Sequence, residues 1–416
     1  MHTNERTPLI VTSVGHSSSS AVGDRPATDG ENQKRIGSRF ALSGLVTLAF
    51  AVGLVVFAVM YMDKLPDDPE RAALKILRKT PLIVSGVTDL PYMVRLLHRN
   101  NLSEINLEGA TDGQVDIPRL RDGRVGGFFW SVYVDCADSG PDFMKPADRV
   151  RDTLEQIDVA RLLIGQNSDT FELATTSNEV SNAVRIGRIA SGHQLGNSIG
   201  VLRQYYLLGA RYMTLTHGCH NAFADSGGIF EPLPPLHGGL RLGMLVDLSH
   251  TSDETAVQAL KLSQAPVIWS HSSARAVHNV ARNVPDYILK MIGTGEGQKD
   301  AVVMINLLPA FLAPNDTAGV SEAADHVEHI GKIAGRMHVG LGSDFDGAEA
   351  FPKGLEDVSK YPALFAELIR RGWTREELEG VASKNFLRIF RGAEETARQM
   401  SEVPPSYVLY DKRVEL

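Results

Sequence analysis

Apolar residues are laid out along this chain in two regimes. The first is a single stretch, Phe40 to Met62, of 23 consecutive residues without a charge. As a helix rising about 1.5 Å per residue it can cross a hydrocarbon core of roughly 30 Å, so it predicts a transmembrane helix at 40–62. Lys34, Arg35 and Arg39 precede it, and Asp63, Asp67, Asp68 and Glu70 follow it. Cationic flanks tend to stay in the cytosol, which makes this a single-pass type II membrane protein with the bulk of the chain on the lumenal or extracellular side. A cleaved signal peptide would have a shorter apolar core nearer the first residue. Residues 1–39, rich in Ser, Thr, Asn and Gly, read as a disordered cytosolic tail.

The second regime begins beyond an acidic, proline-containing stalk at 63–74 and runs over residues 75–398, leaving a C-terminal tail at 399–416. Short β-rich runs alternate there with longer amphipathic stretches. Strands are predicted at Thr80 to Val84, Phe128 to Val134, Tyr212 to Thr216, Gly243 to Leu248, Val267 to Trp269, Val302 to Leu307 and Val339 to Leu341. Helices with apolar spacings of three and four are predicted at Ser198 to Leu208, Glu254 to Ser263 and Tyr361 to Arg371. This alternation predicts a parallel α/β architecture.

The polar residues sharpen that picture. Asp89, His217, His250, His271 and Asp344 each lie a few residues beyond the apolar part of a different strand. In a (β/α)₈ barrel, all strand C-termini converge on one face, which carries the active site. A doubly wound sheet gathers its ligands mainly at a switch point, so the pattern favours a TIM-like barrel.

Composition narrows the chemistry. Acidic residues outnumber basic ones by 50 to 42, for a net charge of −8, which argues against a nucleic-acid partner. No Walker loop and no G-x-G-x-x-G after the first strand points to a nucleotide. With only two cysteines, Cys136 and Cys219, a Cys-based zinc ribbon is excluded, so any metal must be held by His, Asp and Glu. Neutral imidazole and carboxylate are the ligands of hydrolytic zinc, and His250 and His271 are the best candidates. A lone histidine after a strand is more often a hydrogen-bonded structural residue. Two at successive strand ends, each followed by Ser or Thr able to orient a ring, bring the structural reading and a ligand pair into balance. His193, His220, His237, His278, His326, His329 and His338 read as structural or surface residues.

Several stretches carry a resemblance: GGFFWSVYV (Gly126 to Val134), GARYMTLTH (Gly209 to His217), APVIWSHSSA (Ala265 to Ala274), RNVPD (Arg282 to Asp286), GSDFDG (Gly342 to Gly347) and GLEDVSKYP (Gly354 to Pro362). Over roughly residues 75–395 the chain resembles the renal-type membrane dipeptidases, including their fungal relatives. The resemblance implies a (β/α)₈ barrel of the metal-dependent hydrolase type, a two-zinc centre and cleavage of dipeptides, in some members also of leukotriene D4, cystinyl-bis-glycine or certain β-lactams. Carried over by motif, it implies Asp89 on the first zinc and His250 and His271 on the second. His217 and Arg282 would hold the tetrahedral intermediate and the substrate carboxylate, with Asp344 as substrate-facing acid/base. Those roles suit the residues: Arg offers a planar fork to a carboxylate, and Asp near a metal-bound water accepts its proton. The resemblance further implies a Cys136–Cys219 disulfide, with buried thiols as the alternative, and a homodimer in many members. Sequons at Asn101 and Asn315 suit a glycosylated lumenal domain.

The chain departs from the family at two ligand positions. The D-G-H-x-D motif reads Ser85-Gly86-Val87-Thr88-Asp89, and the stretch from Gly187 to Gly192 has Ala190 in the place of the bridging glutamate. Neither Val87 nor Ala190 offers a ligand atom, so one zinc, or weakly bound zinc, is expected. Two functions follow. One is a zinc dipeptidase with weakened or altered activity. The other is a catalytically inactive relative that binds peptides or a partner.

Overall fold

The computed structural model describes residues 45–55, 64–136, 148–182, 185–229, 231, 233, 246–314, 317–348 and 350–404, in two compact units, 1–64 and 65–416. In the first unit residues 45–55 form a helix with exposed apolar side chains. The rest of the 40–62 run lies outside the described residues, and among those described no helix is long and apolar enough to cross a membrane.

The second unit opens with helix α1, Pro69–Lys79, capped by Asp68, which accepts from the Arg71 N–H, with Pro69 at the first turn where no N–H is needed. Ala72, Ala73, Ile76 and Leu77 share its buried face. Residues 69–74, expected as stalk, are therefore part of the folded unit. The mean polarity of the segment concealed a helical stripe of small and apolar residues.

Nine strands follow: β1 Leu82–Thr88, β2 Val125–Ser131, β3 Glu172–Leu173, β4 Arg185–Ser191, β5 Ala210–Thr214, β6 Val246–Asp247, β7 Val267–Trp269, β8 Ala301–Ile305 and β9 Val339–Leu341. All pair in parallel in the order β1-β2-β4-β5-β6-β7-β8-β9, with β3 beside β4. Beyond the ladder, Thr88 bridges Phe345 in parallel and the Asp89 N–H donates to the Phe345 carbonyl at 3.1 Å, so the ends of β1 and β9 touch. Helices follow the strands: α2 Leu90–His98, α3 Arg149–Gln166, α4 Ile199–Leu207, α5 Asp253–Leu262, α6 Val320–Ile333 and α7 Tyr361–Arg370.

Alternate strand residues feed two separate clusters, as the two-residue period dictates. Val84, Phe128, Trp130, Met213, Val303 and Ile305 join the larger one with helix residues such as Ala323 and Val327. Ile83, Phe129, Tyr212, Ile268, Val302 and Met304 form the other, with Phe386, Ile389 and Phe390 of the last helix, α8 Asn385–Gln399. Asn385 donates to the carbonyls of Arg336 and Val339, which places the start of α8 where β9 begins. The opposite ends of the strands are thus left to carry chemistry.

Candidate functional site

The candidate residues come together at those C-terminal strand ends. Asp89 follows β1, His217 follows β5, His250 follows β6, His271 follows β7 and Asp344 follows β9. Arg282 comes from the loop after β7. Asp89, His250, His271 and Arg282 are buried, and His217 and Asp344 half-buried. His250, Asp344 and Asp346 hold left-handed backbone at φ 65°, 68° and 61°. Non-glycine residues there cost energy, and such strain clusters where side-chain direction matters.

His250 Nε2 and His271 Nε2 stand 3.0 Å apart. Hydrogen-bond accounting fixes the state of His271. Ser270 Oγ is 2.6 Å from Asp247 Oδ2 and 2.7 Å from His271 Nδ1. The single hydroxyl proton goes to the carboxylate, so Ser270 accepts the Nδ1 proton and His271 Nε2 is left as a bare lone pair. Asp247 is in turn held by Thr214 at 2.6 Å and by the backbone N–H groups of Ser249 and Ser270. A carboxylate relay behind an imidazole is how a metal-binding ring is oriented. The ring is aimed by Ser270, before it in sequence, rather than by the following Ser272.

Arg282 donates to Ser272 Oγ at 3.0 Å, to the His271 carbonyl at 3.0 Å and to His250 Nε2 at 3.1 Å. His250 therefore also presents a lone pair at Nε2. Burial, reinforced by Arg282, holds both rings well below the usual histidine range, His271 at about 3, so they are neutral near neutral pH. Burial also lowers Arg282 to about 10. Among the described residues no carboxylate pairs directly with this guanidinium, and its Nε has no partner. It is a buried cation open to an anion.

Two carboxylates lean on one glycine. A Cβ at Gly347 would lie 2.6 Å from Asp89 Oδ2 and 3.1 Å from Asp344 Oδ1, so only glycine lets both approach. Burial and the neighbouring Asp344 push Asp89 well up, and burial pushes Asp344 up against the pull of Arg282 and of Asn306, which donates to it at 2.8 Å. Asp346 is clamped by Gln114, whose N–H donates to Oδ1 at 2.6 Å while its Oε1 accepts the Asp346 N–H at 2.9 Å. Burial raises Asp346 from 3.8 to about 6. Between those values the folded chain binds a proton that the unfolded chain has released, so stability falls as pH rises through that window. Asp346→Asn is therefore expected to stabilise the protein by roughly 3 kcal/mol at about pH 8, at 1.36 kcal/mol per pKa unit, and to change little at about pH 4. Thermal melts at the two pH values check it.

His217 stacks on His250 with ring centroids 4.2 Å apart and on Tyr133 at 4.7 Å. Its loop is tied to that of β2 by the Cys136–Cys219 disulfide, the bond implied by the resemblance. The structural readings of His220, His326, His329 and His338 hold, each having a hydrogen-bond partner. His237 and Asn315 lie outside the described residues, and Asn101 caps an exposed turn at Leu102–Glu104. Sequence reasoning missed Asn306, Gln114 and the Asp247–Ser270 relay. Asp247 lies within the strand predicted at Gly243 to Leu248, whereas Gln114 lies 232 residues from its partner.

Paired neutral imidazoles, buried carboxylates and an unpaired guanidinium at the ends of parallel strands define an α/β metallohydrolase. The model of the family Membrane dipeptidase (Peptidase family M19) matches residues 70–232 and 239–404. The dipeptidase aclJ of Aspergillus oryzae is 39% identical over 393 residues, covering 86% of this chain and 92% of its own. The dipeptidase verJ of Clonostachys rogersoniana is 41% identical over 360 residues, covering 81% and 90%. The crystal structure of the probable dipeptidase PvdM from Pseudomonas aeruginosa matches the fold with a TM-score of 0.67 at 19% identity, over 80% of this chain and 100% of that one. The chain belongs to the membrane dipeptidase family, peptidase family M19, whose members are metallopeptidases.

Proposed function

We propose that this protein is a membrane-anchored, zinc-dependent dipeptidase that works with one metal ion, held by His250 and His271 at the rim of a closed (β/α)₈ barrel. The Thr88–Phe345 bridge supports closure. The uncharged run at 40–62 and its asymmetric flanks support the anchor, and the disulfide suits an oxidising lumen.

The observation that carries the reading is the Nε2–Nε2 separation of 3.0 Å between two unprotonated lone pairs. Zinc–nitrogen bonds of about 2.0–2.1 Å at a tetrahedral angle ask for roughly 3.4 Å, so the pair suits one ion. The family's other position does not fit. Val87 and Ala190 offer it nothing, Asp89 alone remains, and among the described residues no third His or carboxylate atom lies within 4.8 Å of both His250 and His271. A bound ion would acidify a water and polarise the scissile carbonyl. The protein's own groups do the rest. Arg282 binds the substrate carboxylate, His217 donates to the oxygen of the tetrahedral intermediate, and Asp344 takes the proton of the attacking water and returns it to the leaving amine.

A second reading, a catalytically inactive peptide binder, is favoured by one contact: Arg282 already occupies the His250 lone pair, so an internal cation stands where the ion would bind. Metal analysis of the full-length protein in detergent, beside hydrolysis of glycyl dipeptides and a dehydropeptide, separates the readings. One zinc per chain is expected, lost together with turnover in His250→Ala and in His271→Ala. Two zinc ions would overturn the single-ion site. Absence of both zinc and turnover, with peptide binding retained, would establish the inactive binder.

A further inference from the structure

We propose that Cys136, His193 and Cys219 form a separate, redox-gated metal site, closed as a disulfide and, after reduction, able to bind one divalent ion of the zinc class. The residues come from the loops after β2, β4 and β5. A ring nitrogen of His193 and both sulfurs lie within 4.8 Å of one another.

The state of His193 is what turns proximity into a site. Its Nε2 is 2.7 Å from the Val134 carbonyl, which has only lone pairs, so Nε2 carries the proton and Nδ1 is a lone pair. That Nδ1 is buried and has no hydrogen-bond partner. An imidazole whose other N–H is pinned by a backbone carbonyl is the usual form of a metal-binding histidine. The other structural histidines, His220, His326, His329 and His338, have neither an unpartnered buried ring nitrogen nor a sulfur pair beside them.

Opening the site requires a dithiol reductant. Its thiolate attacks the sulfur of Cys136, the half-buried residue of the pair, and Cys219, which is buried, leaves as the thiolate. The second thiol of the reductant then attacks the mixed disulfide, so the reductant departs as its cyclic disulfide and the chain gains two electrons and two protons. Binding of the ion releases those two thiol protons. Two thiolates and one imidazole make three protein ligands with a fourth position open, a coordination set that zinc accepts. The His193 ring lies 6.0 Å from that of His217, so an ion here would sit beside the peptide site rather than in it.

The test uses full-length protein in detergent, reduced with dithiothreitol, freed of it under argon and titrated with cobalt(II). Thiolate-bound cobalt gives a near-ultraviolet charge-transfer band that imidazole and carboxylate sites lack. The reduced chain is expected to show this band and to bind one more ion than the oxidised chain, with zinc displacing the cobalt. His193→Gln, which keeps both cysteines, should weaken binding by at least ~10-fold. The double variant His250→Ala, His271→Ala should keep the band, so the result is independent of the dipeptidase reading. No band on reduction, a band indifferent to His193→Gln, or loss of fold by circular dichroism on reduction would each overturn the proposal.

Discussion

Replacing Val87 by His and Ala190 by Glu together is expected to raise dipeptide hydrolysis by on the order of 100-fold or more and bound zinc from one ion per chain to two. Loss of groups that merely orient ligands costs ~10 to 100-fold in affinity or activity, and these two positions would supply ligands themselves. Position 87 is one residue before the end of β1 and position 190 is one residue before the end of β4, so both substitutions fall at the strand ends after which Asp89, His250 and His271 lie. Metal analysis and kcat/KM for a glycyl dipeptide read the outcome. A double variant no better than the natural chain in either measure would mean that the two lost positions are not what limits this site.

The second large effect is expected from Asp344→Asn, a fall in kcat of ~10² to 10⁴ with metal content and fold unchanged, the range for removing a positioned proton carrier. The residue is held in left-handed backbone at φ 68° and receives a 2.8 Å hydrogen bond from Asn306, which fixes one oxygen and leaves the other toward Gly347. Burial raises its pKa, so the ionised form that accepts a proton is lost as pH falls at a higher pH than for an ordinary carboxylate. The acid limb of kcat should lie correspondingly high. Asn306→Ala should move it higher still, because the amide stabilises the charged form. Measuring the same substitution in the Val87→His, Ala190→Glu background keeps the result readable if the natural turnover is small. Loss of zinc along with activity in Asp344→Asn would reassign this residue from proton carrier to ligand.

Much of this was legible along the chain, for identifiable reasons. β7 and β9 fell on Val267–Trp269 and Val339–Leu341, because short, fully apolar runs between polar loops have few other readings. β4 did not announce itself, since Arg185–Ser191 carries two arginines in seven residues, and its strand conformation rests on parallel pairing with both β2 and β5. α1 was hidden in an acidic segment because half of its buried stripe, Ala72 and Ala73, is alanine.

The sequence by itself determined the alternation of strand and helix, the family, and which strand ends carry imidazole and carboxylate. It also determined that Val87 and Ala190 offer no ligand atoms, a statement of chemistry that no folding can alter. Only the tertiary structure decided that His250 and His271 face each other as lone pairs, that Arg282 shares the His250 nitrogen, and that Asp89 and Asp344 crowd a single glycine. The reason is one of range. Propensity and side-chain chemistry act over a few residues and can be read locally. Distances of about 3 Å between groups tens to hundreds of residues apart exist only once parallel strands have brought their ends to one rim.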